Sequence, residues 1–430
     1  MSFKNLGYLF FLSLPLITVS CDKDEDLTTD YNREDPRIRS VVSTNFKSTT
    51  FVINDVESVI YNYDSLAFGC NVSKMNMFFY GYTSTPSIKY KYKDDKEWKN
   101  FSNGTAMNFS SPLQILAISE DGTNQKVYDF DLRVHKFDVS AFSWQEKCSL
   151  DIDEVVITQK SIVDKNIWYW FCQTADGNNY CFSSETNGQK WTKKNIENTS
   201  FNWNTLSMFN GKLYLQDSNK ELYVGDIDKL TFSKLDCSKM DYILFELDGK
   251  LWAIAERSLY AMAKDSSDFT KVSELPSEFS LENFVTFTTE SAATQLGYIY
   301  VTKDDNGSIW SVDYKGGFYQ LIPSDGTIPY LVNPMVYNYN NTLSIVGGQL
   351  SDGTYSSKCY ASYDNGVTWT EDWHKQLIGD LQDLNSAGVF LSSKEGEMVI
   401  VGGNKGNVVS PIVWRGVLNL LIADELNYRD

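Results

Sequence analysis

The stretch Ser362-Tyr363-Asp364-Asn365-Gly366-Val367-Thr368-Trp369 holds a set of side chains whose types and spacing specify a local job. It reads Ser-x-Asp-x-Gly-x-x-Trp. A carboxylate placed between that serine and glycine can accept backbone N–H groups inside a turn. The glycine takes a positive φ, and the tryptophan packs back under the loop. Ser184-Glu185-Thr186-Asn187-Gly188-Gln189-Lys190-Trp191 repeats the spacing with Thr186 in the aspartate's place. This chemistry is structural. Ser362, Asp364, Gly366, Trp369, Ser184, Gly188 and Trp191 are expected to lock turns, not to turn over a substrate.

The other reactive residue types are too sparse or too common to point to a reaction. No Ser-His-Asp arrangement, phosphate loop or dinucleotide fingerprint occurs. The chain has two histidines, His135 and His374, too few for a histidine-based redox metal. Asp304-Asp305-Asn306-Gly307 is rich in oxygen ligands but lacks the spaced ligands and final Glu of a calcium loop, so it reads as a hairpin turn. A glycosidase needs two carboxylates roughly 5–10 Å apart across a cleft. With 56 acidic residues such a pair arises by chance, so counting them decides nothing. No catalytic set, metal or cofactor is assigned. What remains is aromatic surface: Trp203, Trp373, Trp414, Tyr330, Tyr337 and Tyr339 cannot all be fitted inside small blades, although most are expected to pack between blades. Sugar rings stack on such faces, and protein partners use exposed Trp and Tyr. Trp373-His374, just past a strand end, is the candidate ligand contact.

These residues sit in a repeat. A turn followed by an apolar strand recurs at Asn166, Gly211, Gly249, Gly297, Asn341 and Gly396, which is 230 residues over five intervals, a mean period of 46. Each is followed by a strand carrying an aromatic (Phe182, Tyr223, Tyr260, Trp310, Tyr360, Trp414). Then comes an aromatic with a polar partner, as in Trp191-Thr192, Phe232-Ser233, Phe269-Thr270, Phe318-Tyr319 and Trp369-Thr370. A period of that length, built of short strands and turns, predicts a β-propeller of four-stranded blades, with six copies giving six blades. The last copy lacks its third feature after Trp414. Phe142-Ser143-Trp144-Gln145, just ahead of the first copy, is expected to supply it and tie the ring shut.

Composition agrees with β structure and narrows the partners. Hydrophobic residues make up 42% and aromatics 14%, enough for a real core. A net charge of −18 argues against nucleic acid, and against adhesion to anionic lipid by charge alone. The seven cysteines show no metal-binding spacing. Cys172 and Cys181 fall on neighbouring strands of one hairpin. They are the pair to consider for a disulfide, against the reading that they are small buried apolar residues.

Residues 1–20 read as a signal peptide: Lys4, an apolar run from Leu6 to Val19, then Ser20. Cys21 follows directly. Residues 21–38, opening with Asp22-Lys23-Asp24-Glu25-Asp26, read as an acidic tether. Residues 39–140 carry roughly seven short strands with turns such as Asp121-Gly122, which predicts an immunoglobulin-like β-sandwich. Residues 141–430 are the propeller. The fold class is all-β: a small sandwich followed by a six-bladed propeller.

Several motifs resemble known families. The Ser362–Trp369 pattern resembles the Asp-box of sialidase-like propellers, where it is structural. Ile345-Val346-Gly347-Gly348 and Ile400-Val401-Gly402-Gly403 resemble the double-glycine strand of kelch repeats. Sialidases hold a substrate carboxylate with three arginines. The propeller region here has only Arg257, Arg415 and Arg429, which speaks against that activity. Cys21 after an apolar run resembles a bacterial lipoprotein signal. The acidic run behind it is similar to the export signal of surface lipoproteins in Bacteroidetes-type bacteria. Ile60, Asn62, Asp64-Ser65-Leu66, Gly69, Ser119-Glu120-Asp121-Gly122, Tyr128, Val134-His135, Phe142 and Trp144 together resemble a lipoprotein family of gut Bacteroidetes, domain-of-unknown-function family 6242. The resemblance spans the chain. It implies the sandwich-plus-propeller layout and the cell envelope, with Cys21 lipidated and the protein on the outer membrane facing outward. It implies no activity. The expected role is non-catalytic recognition of a glycan or an envelope protein through the propeller, without nucleic acid. Two alternatives stand beside it: a glycoside hydrolase or lyase with a carboxylate pair in the axial pocket, or a structural subunit of an envelope assembly. An axial channel lined by apolar and Lys side chains would count against the hydrolase.

Overall fold

Each repeat forms one antiparallel sheet, because its turns reverse the chain tightly. In the computed structural model of the protein, the described residues are 33–81, 87–185, 188–197, 200–279, 282–291, 294–392 and 396–422. Cys21, the signal peptide, most of the tether, Thr186 and Arg429 lie outside them. Asn210-Gly211 and Asp248-Gly249 both take positive φ, the two-residue hairpin geometry that matches strand twist. These turns join first to second strands, which is why the repeat begins with a turn and an apolar run.

The chain divides into two compact units between His135 and Lys136. The second unit is all-β and propeller-like. Its first sheet runs Val156–Asp164, Ile167–Thr174, Asn179–Glu185, Thr192–Ile196 in spatial order. The second sheet runs Phe201–Phe209, Lys212–Asp217, Leu222–Asp226, Thr231–Lys234, and the third Tyr242–Leu247, Lys250–Ala255, Ser258–Ala263, Thr270–Glu274. The fourth is Glu282–Ser291, Thr294–Lys303, Asn306–Asp313, Phe318–Ile322, with Ile328–Pro329 added beside Asn306–Asp313. The fifth is Met335–Tyr339, Thr342–Val346, Cys359–Ser362, Thr370–Glu371. The sixth is Gly388–Ser392, Glu397–Val401, Ile412–Leu418 and then Phe142–Ser149, from the other end of the unit. Phe142 lies opposite Leu418 and Ser149 opposite Ile412, so both ends of the repeat region meet in one sheet.

Second strands such as Thr342–Val346 and Glu397–Val401 are buried along their whole length, whereas fourth strands such as Thr231–Lys234 are largely exposed. Continuous apolar runs bury both faces of a sheet, so each sheet must lie between neighbours. The cores bear this out. Phe171 and Trp203 join the first and second sheets, Tyr298 and Leu343 the fourth and fifth, and Trp168, Trp170, Phe390 and Val399 the sixth and first. Trp168 stacks on Phe390 with centroids 5.1 Å apart. Such aromatic pairs add about 0.5–1.5 kcal/mol beyond their buried area. The paired glycines Gly347-Gly348 and Gly402-Gly403 are places of close approach. At Gly347 a Cβ would lie 2.5 Å from the Leu384 carbonyl oxygen.

Two open questions about side chains are answered. Cys172 and Cys181 are buried free thiols, the small apolar residues of the two readings. Cys172 faces Tyr180 and Cys181 faces Phe171, so the sulfurs point to opposite faces of the sheet and enter different cores. Of the aromatics weighed as surface groups, Trp203, Tyr337 and Tyr339 are buried, and Trp414 and Tyr330 are half-buried.

The first unit contains a six-stranded sheet in the order Phe51–Asn54, Val59–Asn62, Gln125–Asp131, Leu113–Ile118, Ser87–Tyr92, Lys99–Asn100. Only the Val59–Asn62/Gln125–Asp131 pair in it is parallel. A three-stranded sheet of Ile38–Ser43, Met75–Gly81 and Ala106–Met107 shares its core, through Ile38, Met77, Phe79, Ile115 and Tyr128. Asn62 is fully buried and clamps the Arg133 backbone: it donates to the carbonyl at 2.8 Å and accepts from the N–H at 2.7 Å. Tyr128 donates to Asp55 at 2.6 Å. These polar motif residues hold the unit together.

Candidate functional site

The Ser362–Trp369 turn uses up its own chemistry. Gly366 N–H donates to Ser362 Oγ at 2.8 Å, and Ser362 Oγ donates to Asp364 Oδ1 at 2.9 Å. Thr368 donates to Asp364 through its hydroxyl at 2.6 Å and its N–H at 2.8 Å, which holds the carboxyl below the usual carboxylate range. Trp369 Nε1 donates to the Gly366 carbonyl at 3.0 Å. Gly366 has φ of +87°, and a Cβ there would meet Tyr298 of the fourth sheet at 2.8 Å. In the second copy, Trp191 Nε1 donates to the Gly188 carbonyl at 3.0 Å, while Ser184 Oγ turns to the Glu185 carbonyl, also at 3.0 Å. Both turns wedge one sheet against the next, Gly366 against Tyr298 and Gly188 against Val399.

The turn delivers the chain to Trp373. Past Thr370–Glu371, Trp373–Lys375 form one 3-10 turn, capped by Asp372, whose Oδ1 accepts from His374 N–H at 3.1 Å. Trp373 is 58% exposed, the one exposed tryptophan of the chain's eleven. One side of its ring rests on His374, with centroids 3.5 Å apart. His374 Nδ1 lies 2.5 Å from Asp138 Oδ2, and Asn419 Nδ2 donates to the Asp138 carbonyl at 2.7 Å. Asp372 accepts from the Tyr363 hydroxyl at 2.6 Å and lies 3.1 Å from Lys375 Nζ. Burial pushes the Asp372 carboxyl up, but Tyr363 and Lys375 outweigh it and hold it below its ordinary value. Burial likewise pulls the Lys375 ammonium down, and Asp372 more than offsets it. Beside Trp373 opens a cavity of ≈ 220 Å³ walled by Phe142, Trp144, Asp138, His374, Lys375 and Ile378. The structure therefore brings the sequence-singled pair Trp373 and His374 together with Asp138, 236 residues from His374.

A second cavity lies among the first strands of the sheets. Those strands stand side by side in sequence order, and that of the sixth sheet packs against that of the first. They enclose ≈ 380 Å³. The wall is mainly apolar and neutral-polar, and among the described residues Lys160 and Glu246 are its only titratable side chains. Glu246 Oε1 is engaged by Gly249 N–H at 2.8 Å. Lys160 belongs to the first sheet yet donates to the Thr286 carbonyl and hydroxyl of the fourth sheet, at 3.0 Å each. Burial lowers its ammonium to about 8. Nothing in the sequence singled out Lys160 or Asp138. Each acquires its setting only from strands far along the chain.

Arg257 and Arg415 have separate partners. Arg257 donates to the Pro276 carbonyl at 2.7 Å, and Arg415 pairs with Glu397. Asp304-Asp305 is the hairpin turn between Thr294–Lys303 and Asn306–Asp313. Among the described residues no group of three or more His, Cys, Asp or Glu side chains could hold a metal ion.

No curated protein matches the chain in sequence. Among solved structures it is similar to YjhT, with 10% identity over 61% of this chain and 95% of that one and a TM-score of 0.46. It is also similar to YCF48 bound to D1 peptide (10%, 65% and 98%, 0.38) and to the GH74 enzyme of Niastella koreensis (13%, 60% and 46%, 0.38). The DUF6242 beta propeller domain matches residues 139–425, and the DUF6242 N-terminal domain matches residues 18–132. The chain belongs to the DUF6242 family.

Proposed function

We propose that this protein is a non-catalytic surface lipoprotein whose six-bladed β-propeller recognises a glycan or protein ligand. Cys21 carries the lipid that anchors it in the bacterial outer membrane, facing outward. The acidic tether and an immunoglobulin-like sandwich lift the propeller from the membrane. Each acyl CH₂ buried in the bilayer contributes about 0.8 kcal/mol, so several chains anchor stably.

The observation that carries the reading is Trp373. Its ring and the Ile378 side chain, both 58% exposed, gather apolar surface at one cavity, and such a patch suits a partner. Its mounting is rigid: His374 backs the ring, Asp138 holds His374, and Asp372 pins the turn. A preorganised aromatic platform beside a small polar-edged cavity suits a sugar ring, whose C–H face stacks on the indole while its hydroxyls reach Asp138 or Lys375. The hydrolase reading loses support, because the inner cavity carries a single carboxylate and that one is engaged by Gly249.

The test is a glycan-array screen of the purified chain beside the Trp373→Ala variant. Saturable binding to one glycan class, weakened at least tenfold by the variant, is expected. If the folded protein stays silent across the array, the glycan assignment fails, and pull-down from envelope extracts decides for or against a protein ligand.

A further inference from the structure

We infer that the cavity among the first strands is a second, separate binding site that takes a small carboxylate-bearing ligand of monosaccharide size, a sugar acid, with Lys160 Nζ as its counter-charge. The inference does not rest on Trp373, which lines a different cavity.

Lys160 reaches across the cavity from one sheet to another. Its strand packs on the first strands of the second and sixth sheets, whereas its amine meets Thr286 on the fourth, so the side chain spans the cavity. The Thr286 hydroxyl donates to the Leu244 carbonyl at 3.0 Å, which leaves its lone pair facing Nζ. Thr286 offers two acceptors to an ammonium with three N–H groups, so one N–H stays available. No carboxylate of the described residues lies within ion-pair distance of Nζ. A cation held in a cavity without an anion is costly, and burial depresses the Lys160 ammonium. An anionic ligand removes it.

The walls fit a sugar acid better than a bare ion. A volume of ≈ 380 Å³ holds one pyranose ring and exceeds what a bare small anion needs. Asn204 and Thr288 face the cavity, and their side chains make no hydrogen bond to the described residues, so they are free for hydroxyls. Phe287, stacked on Tyr298 with centroids 5.1 Å apart, supplies a flat apolar wall.

The experiment is isothermal titration of the full chain in detergent at pH 7 with galacturonate, glucose and inorganic phosphate. Galacturonate is expected to bind once per chain, at least tenfold tighter than either of the others. Lys160→Met abolishes that preference, and Trp373→Ala leaves it unchanged. Affinity also falls at least tenfold between pH 7 and pH 9.5, as the amine loses its charge; Glu246, the other titratable wall group, is engaged by Gly249 throughout. Equal binding of glucose, absence of binding, or an affinity indifferent to pH overturns the proposal. Phosphate as tight as galacturonate overturns the sugar-acid assignment. If Lys160→Met fails to fold, the ligand preference and pH dependence of the unmodified protein decide alone. Loss of array binding in Trp373→Ala with galacturonate binding intact separates the two sites.

Discussion

Glu397→Gln should loosen both ends of the propeller unit together, because Glu397 sits in an ion cluster of the sheet that those ends share. Glu397, Arg415 and Lys147 come from three strands of that sheet: Glu397–Val401, Ile412–Leu418 and Phe142–Ser149. The Glu397 carboxylate is 6% exposed, pairs with Arg415 through one oxygen, and lies 3.7 Å from Lys147 Nζ through the other. Glu397→Gln removes the anion and leaves two cations facing each other in a half-dry site. Breaking a buried pair costs roughly 3–5 kcal/mol. The lower end applies here, about 3 kcal/mol, because Arg415 keeps 36% exposure and can turn to water. At roughly 2 °C per kcal/mol for a unit of this size, the melting temperature should fall by about 6 °C. Differential scanning calorimetry reads that shift. Limited proteolysis should show new cuts on either side of Phe142–Ser149. A second variant, Glu397→Gln with Arg415→Met, should recover part of the loss, since it removes one of two like charges that Glu397 separates. A melting temperature unchanged within 1 °C, or a double variant no better than the single, would refute the idea that this cluster holds the seam.

Three other outcomes are expected. Gly366→Ala, at φ +87° and facing Tyr298, should cost about 1–3 kcal/mol in urea unfolding while leaving ligand binding at Trp373 intact. Asp138→Asn should weaken that binding several-fold with little change in melting temperature, because it loosens His374 behind the ring, which array titration of the variant checks. The third concerns pH. Burial lowers the Lys160 ammonium from 10.5 to about 8, so the unfolded chain holds this proton more tightly, and stability should rise as pH climbs from about 8 to about 10.5. Below pH 8 the folded protein carries the full penalty, up to about 3 kcal/mol. Lys160→Met should therefore flatten the rise of melting temperature with pH across that window, and an identical slope in both proteins would contradict it.

The sequence disclosed what is local. A turn, an apolar strand and an aromatic strand recur because each sheet repeats the same burial problem, so the sheets and the Phe142–Ser149 closing strand were legible from spacing. The turn at Ser362–Trp369 was legible because its bonds span a few residues. Register was not. Cys172 and Cys181 share a hairpin, but an offset of one residue sends them to opposite faces. Nor was the packing of aromatics between sheets: Trp203 fills the core between the first and second sheets and donates to Asn179 at 2.7 Å. Trp373 stood out because it follows a strand end, outside the alternation that buries the others. Lys160 and Asp138 are unremarkable in the sequence, since what matters about them is contributed by Thr286 and His374 on distant strands.

The most direct test of the recognition reading is acrylamide quenching of intrinsic fluorescence, read with and without pooled envelope and host polysaccharides. Trp373 is the most exposed tryptophan, with Trp98, Trp144, Trp191 and Trp414 half-buried, so Trp373→Ala should lower the quenchable emission. Ligand occupancy predicts that one pool shields the ring and lowers quenching saturably in the unmodified protein alone. Quenching unchanged by every pool and by envelope extract, in a protein that remains folded, would contradict the claim that Trp373 is a recognition platform.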